Sequence, residues 1–123
     1  MQTSDYVSTL FDGESNLSKV TVAFTMAKNA ALKGHSATLI LMADAVALGL
    51  PNATDGMDIG KPFEPVKTLL EDYLNKGGRI AICSSCMIHH GLTAEQMDPR
   101  YEVITAPDVI DLLMNAEGSL QIT

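Results

Sequence analysis

The chain is short of positive charge, with eight Lys+Arg against fifteen Asp+Glu in 123 residues and a formal net charge of −7. That is the wrong sign for a surface that must neutralise phosphates, so direct nucleic-acid binding is not expected. Long apolar runs are missing as well. No stretch approaches the ~20 apolar residues of a membrane span, and the opening MQTSDYVSTLFDGES lacks a basic segment followed by an apolar one. The expectation is a cytoplasmic protein without a membrane contact. Cysteines number only two, too few for a disulfide framework. In a reducing compartment a close pair points instead to redox, persulfide or metal chemistry. Internal repeats and low-complexity linkers are absent. What is present is 46% hydrophobic residues with 19% charged, enough apolar side chain to bury a core unaided. Against a usual domain of roughly 100–200 residues, the length fits one domain, 1–123.

The pattern along the chain alternates strand with helix. Tyr6 to Phe11 is a short β-branched and aromatic run that stops at the turn cluster Asp12-Gly13-Glu14. From Leu17 the positions Leu17, Val20, Phe24, Ala27 and Ala31 follow helical spacing, with Ser15 or Asn16 as cap and Gly34 as stop; Val20-Thr21-Val22 argues mildly against helix. Ala37 to Met42 is an almost unbroken apolar run, as in a parallel strand buried on both faces. Pro51 to Lys61 reads as the long irregular segment, with Met57 a candidate to cover a site. Phe63, Val66, Leu69, Leu70, Tyr73 and Leu74 trace an amphipathic helix, with Pro62 and Pro65 placed in its first turn and Gly77-Gly78 ending it. Then follow a strand at Arg79 to Cys83, a short helix within Ser84 to Leu92, a strand at Tyr101 to Thr105, a helix at Pro107 to Ala116 and a strand at Ser119 to Ile122. Such alternation predicts a three-layer α/β fold, a mainly parallel five-stranded sheet with helices on both faces. Chemistry in such sheets sits outside the carboxyl ends of the strands, and Asp12 to Ser15, Asp44 and Cys83 fall on that edge.

The sharpest motif is Cys83-Ser84-Ser85-Cys86-Met87-Ile88-His89-His90-Gly91. Cys83 ends a predicted strand where a helix begins, so a thiolate there faces free backbone N–H groups and the positive end of the helix dipole. The bland alternative is that both cysteines are small buried hydrophobes. Three functional readings stay open. Cys-x-x-Cys at a helix start suits dithiol exchange, although no thioredoxin-like hairpin follows. Cys83 and Cys86 with His89 or His90 offer a metal or small-ligand site, lacking a second ligand pair elsewhere; His35 reads as a turn residue. The third reading is a persulfide carrier. Asp44 by default caps the small helix after its strand; the functional alternative has it lining the pocket of Cys83. Met87 reads as packing. No organic cofactor is expected.

Leu39-Ile40-Leu41-Met42-Ala43-Asp44-Ala45-Val46 with Gly49, together with Cys83-x-x-Cys86-x-x-x-x-Gly91-Leu92, resembles the DsrE family of small sulfur-relay proteins over nearly the whole chain. The likeness is strongest to its short homo-oligomeric Cys-x-x-Cys members. It implies a flavodoxin-like, DsrE-like fold, assembly as a homotrimer or homohexamer, and transfer of sulfane sulfur between a donor and an acceptor through a cysteine persulfide. The family's active cysteine stands eight positions before the glycine, which here is Cys83; Cys86 matches the additional cysteine. Where subgroup members often carry Arg before the glycine, this chain has His90 preceded by His89. A titratable group thus stands where a permanent cation would stabilise the persulfide anion.

Overall fold

A computed structural model describes residues Met1–Thr123. Its strands are β1 (Tyr6–Leu10), β2 (Ala37–Leu41), β3 (Arg79–Cys83), β4 (Glu102–Ile104) and β5 (Gly118–Ile122), and its α-helices are α1 (Leu17–Leu32), α2 (Val66–Asn75), α3 (Ser84–His89) and α4 (Ala106–Met114). Two 3-10 helices, Ala43–Gly49 and Ala94–Gln96, complete it. The five strands are all parallel, in the order β4-β3-β2-β1-β5. β2, third in that order, is buried along its whole length, as its almost unbroken apolar run requires.

The order dictates the layers. The steps β1 to β2, β2 to β3 and β3 to β4 all advance the same way, and right-handed crossovers then put their helices on one face. Accordingly Phe24 and Ala27 of α1 and Val66 and Leu69 of α2 pack with Leu10, Leu39, Leu41 and Ile82 in one apolar cluster. The return from β4 to β5 runs back across the sheet, so α4 lies on the opposite face, where Val109 and Leu112 meet Val7, Ile40 and Ala81.

Several boundaries differ from the sequence reading for identifiable reasons. Asn16, not Ser15, caps α1 by accepting the Lys19 backbone N–H at 3.1 Å. The Val20-Thr21-Val22 patch is helical because Val20 and Thr21 are buried against the sheet side, while the Thr21 hydroxyl donates to the Leu17 carbonyl at 2.7 Å. Pro62 and Pro65 lie outside α2 rather than in its first turn. Pro65 is the residue before it in extended geometry, and Phe63 is partly exposed, so the irregular stretch runs past Lys61 to Pro65. The first 3-10 helix begins at Ala43 and cuts β2 short of Met42. At the far end of β3, the buried Tyr73 hydroxyl donates to the Arg79 carbonyl at 2.7 Å, and Gly78 leaves room for the ring, into which a Cβ there would run.

Candidate functional site

Three loops converge at the carboxyl edge of the sheet. After β1 the chain passes through Asp12 to Ser15, after β2 it enters Ala43–Gly49, and after β3 it turns at once into α3. The first two are pressed together. Gly13 carries no side chain where a Cβ would stand 2.9 Å from the Asp44 carbonyl oxygen. The Met42 N–H donates to the Leu10 carbonyl at 2.9 Å and ties the same turn to β1. At its apex Ala43 adopts φ +48°, the left-handed region that L-residues occupy at a cost.

That turn faces the cysteines. Cys83, 4% exposed, closes β3 and stands as the N-cap residue of α3, but its side chain makes no capping hydrogen bond. The expected thiol-to-helix capping contact is therefore not formed. Cys86, one turn on, is half-buried and packs against the main apolar cluster. Both thiols are free, and the Cys83 thiol and the Ala43 backbone N–H both stand near enough to the Cys86 thiol to act on its charge. Burial pushes the Cys86 thiol above its ordinary pKa, the Ala43 N–H opposes that rise and the Cys83 thiol adds to it.

His90 follows α3, donating its backbone N–H to the Cys86 carbonyl at 3.1 Å, and Gly91 at φ +75° lets the chain turn away. The His90 Nε2 lies 3.3 Å from Asp44 Oδ1, with the carboxylate 70% and the imidazole 33% exposed. This corrects the default for Asp44: its carboxylate caps nothing, because the 3-10 helix starts one residue earlier and its N-cap position is Met42. His89 stands edge-on to the His90 ring, 5.6 Å between centroids. Met87 is core, as expected. Beside the His90–Asp44 contact opens a cleft of about 540 Å³ walled by Glu14, Ser15, Leu48, Leu50 and Met57. Met57 thus forms part of a wall rather than a cover. No group of three His, Cys, Asp or Glu side chains gathers in metal-holding geometry, so the His89 and His90 ring nitrogens do not join the cysteines as a ligand set.

Gly13 and Ala43 were not among the residues singled out from sequence. Gly13 stood only as a turn former, and nothing in an alanine announces a left-handed backbone. The His90–Asp44 contact joins residues 46 positions apart and has no local signature.

A sequence model of the DsrE/DsrF-like family matches residues 8–121. The chain belongs to the DsrE/DsrF-like family. Among curated proteins, the uncharacterized protein MJ0760 of Methanocaldococcus jannaschii is 27% identical over 101 residues, and this chain spans 36% of its length while 82% of the chain is matched. Among solved structures, the ychN protein from E. coli superposes with a TM-score of 0.67 at 20% identity, covering 98% of this chain and 99% of that one. The conserved protein BT1422 of unknown function from Bacteroides thetaiotaomicron gives 0.65 at 21% identity, covering 96% and 95%. MTH1491 from Methanobacterium thermoautotrophicum, also of unknown function, gives 0.64 at 12% identity, covering 94% and 97%. At such identities the likeness establishes the DsrE-like fold. No helix of the DsrE-like chain is long and apolar enough to cross a membrane.

Proposed function

We propose that this DsrE-family protein relays sulfane sulfur as a persulfide on Cys83. The observation that carries the reading is the proximity of two free thiols at the carboxyl edge of a parallel sheet, beside a backbone N–H from a strained turn. In the transfer the Cys83 thiolate attacks the outer sulfur of a donor persulfide R–S–SH. The donor S–S bond breaks, R–S⁻ leaves and takes a proton from solvent, and Cys83–S–SH remains. An acceptor thiolate then takes the outer sulfur and restores the Cys83 thiolate. Without an acceptor, the Cys86 thiolate attacks the inner sulfur, hydrosulfide departs and a Cys83–Cys86 disulfide forms. Asp44 and His90 hold the turn against α3, with His89 supporting the His90 ring.

The reading places the protein in the reducing cytoplasm, where both thiols stay free. It also includes self-assembly as a homotrimer or homohexamer, supported by apolar side chains open to solvent at Ile88, Ile110 and Met114. Light scattering that finds a monomer at micromolar concentration overturns the assembly.

Intact-mass spectrometry of reduced, anaerobic protein after exposure to a sulfane-sulfur donor tests the transfer. Cys86→Ser gains and keeps one sulfur atom, the native chain gains one and then passes to the Cys83–Cys86 disulfide with loss of hydrosulfide, and Cys83→Ser does not load. No gain in any of the three overturns the reading. The same thiol proximity favours a dithiol oxidoreductase as the second reading, and a reversible Cys83–Cys86 disulfide without sulfur loading is its signature.

A further inference from the structure

We infer that the cleft beside the two cysteines selects the sulfur carrier by charge, taking the persulfide of an aliphatic thiol that bears an ammonium group and turning anionic carriers away. The inference rests on the sulfur-transfer reading and names its substrate class. The cleft, about 540 Å³, is of the size that takes a small organic molecule. Its inner wall is apolar, with Leu48 and Met57, and suits a short carbon chain. Its charged lining is of one sign: Glu14 from the β1–α1 loop and Asp44 from the turn after β2.

Nothing positive offsets them permanently. Among nearby cations Lys19 is engaged by Asp12 at 3.2 Å, and behind the Leu48–Leu50 wall Arg100 is held by Asp98 and Glu71 while Lys67 faces Asp55. His90 is the one cleft group able to become positive, and it lies against Asp44. The cysteines stand next to the His90 end of the cleft without lining it: His90 is one helical turn beyond Cys86, and Asp44 follows the Ala43 whose N–H acts on the Cys86 sulfur. A carrier seated with its ammonium by Glu14 and Asp44 brings its sulfur to the dithiol. The hand-over is R–S–SH + Cys83–S⁻ → R–S⁻ + Cys83–S–SH, and an ammonium on R stabilises the departing thiolate.

The test uses the whole protein at about pH 8, where its thiols react readily. Cationic trimethylammonium-ethyl and anionic sulfonato-ethyl methanethiosulfonates are the probes, each rate being divided by that of the uncharged methyl reagent and by the same ratio for a free small thiol. The expected result is a preference for the cation on the order of tenfold at low ionic strength, shrinking towards one in 1 M salt. Glu14→Gln and Asp44→Asn each reduce it, and the double variant abolishes it. In a second arm, cysteamine persulfide loads sulfur faster than mercaptopropionate persulfide. Sulfur loading without charge preference overturns the substrate assignment and leaves the relay standing. Charge preference with no loading from either donor overturns the relay and, with it, the assignment. A preference that survives in the double variant removes Glu14 and Asp44 as its cause and overturns the inference.

Discussion

Gly13→Ala is the substitution that most directly tests how the site is held. A Cβ at Gly13 stands 2.9 Å from the Asp44 carbonyl oxygen and 3.5 Å from its carbon, so the first contact falls well inside ordinary van der Waals distance. The atom it meets is backbone, and that backbone cannot swing freely. Met42 N–H is bonded to Leu10, Ala45 N–H to the Met42 carbonyl at 2.9 Å, and Ala43 between them already sits at φ +48°. Overpacking of this kind costs about 1–3 kcal/mol. Alanine returns about 0.4–1 kcal/mol by narrowing the unfolded ensemble, leaving a net loss centred on ~1.3 kcal/mol. With a urea m-value of about 1–1.5 kcal/mol/M for a chain of this size, the unfolding midpoint falls by about 1 M. The local effect is on Cys86. Displacing the turn withdraws the Ala43 N–H that opposes the burial-driven rise, so the Cys86 thiol rises further and alkylates more slowly at neutral pH. Urea denaturation and iodoacetamide kinetics, the latter in a Cys83→Ser background for both proteins, read the two effects. An unchanged midpoint with an unchanged alkylation rate refutes the close approach of the two loops.

Other consequences can be checked with the same methods. Gly78→Ala drives a Cβ into the buried Tyr73 ring and disturbs its bond to the Arg79 carbonyl, so it costs about 2–4 kcal/mol in urea unfolding, and a loss below 1 kcal/mol contradicts the packing. Ala43→Gly leaves stability equal or higher by up to about 1 kcal/mol, because glycine occupies the left-handed region freely, whereas Ala47→Gly in the same 3-10 helix loses about 0.5–1 kcal/mol; equal losses at both positions contradict the backbone geometry. The Arg100 guanidinium holds the Asp98 carboxyl below its usual range. A carboxyl depressed in the folded state adds stability that is present above its unfolded pKa and lost as pH falls through the folded value. The stability gap between native protein and Asp98→Asn therefore narrows from about pH 5 downward. A gap constant across that range argues against the pairing.

The residues that announced the fold are those whose surroundings repeat along the chain. The run at Ala37 to Leu41 reads as a strand covered on both faces because its five consecutive buried positions are apolar except Thr38, whose hydroxyl is hydrogen-bonded to that of Ser4 at 2.7 Å. The Cys83–Gly91 string reads as a strand-to-helix corner because a parallel strand must leave its carboxyl end through a turn. The resemblance to the DsrE family, carried by that string and by the Asp44 segment, agrees with the family match over 8–121. Helix edges were legible less well. Val20-Thr21-Val22 looked unlike helix because β-branched propensity is a weak preference, and burial of Val20 and Thr21 overrides it. Asp44 looked like a cap because acidic residues after strands often are, and a 3-10 helix starting one residue early removed that role.

What the sequence by itself determined is therefore the alternation, the parallel sheet and the edge on which both cysteines lie, since these follow from apolar period and turn chemistry within short windows. Only the tertiary structure decided that Gly13 admits the Asp44 carbonyl, that His90 faces that same aspartate, that Ala43 takes a left-handed backbone and that Glu14 shares a cleft with them. All of these but the Ala43 backbone join residues from different crossovers of the sheet. Such distances depend on how the layers pack, and no local pattern carries them.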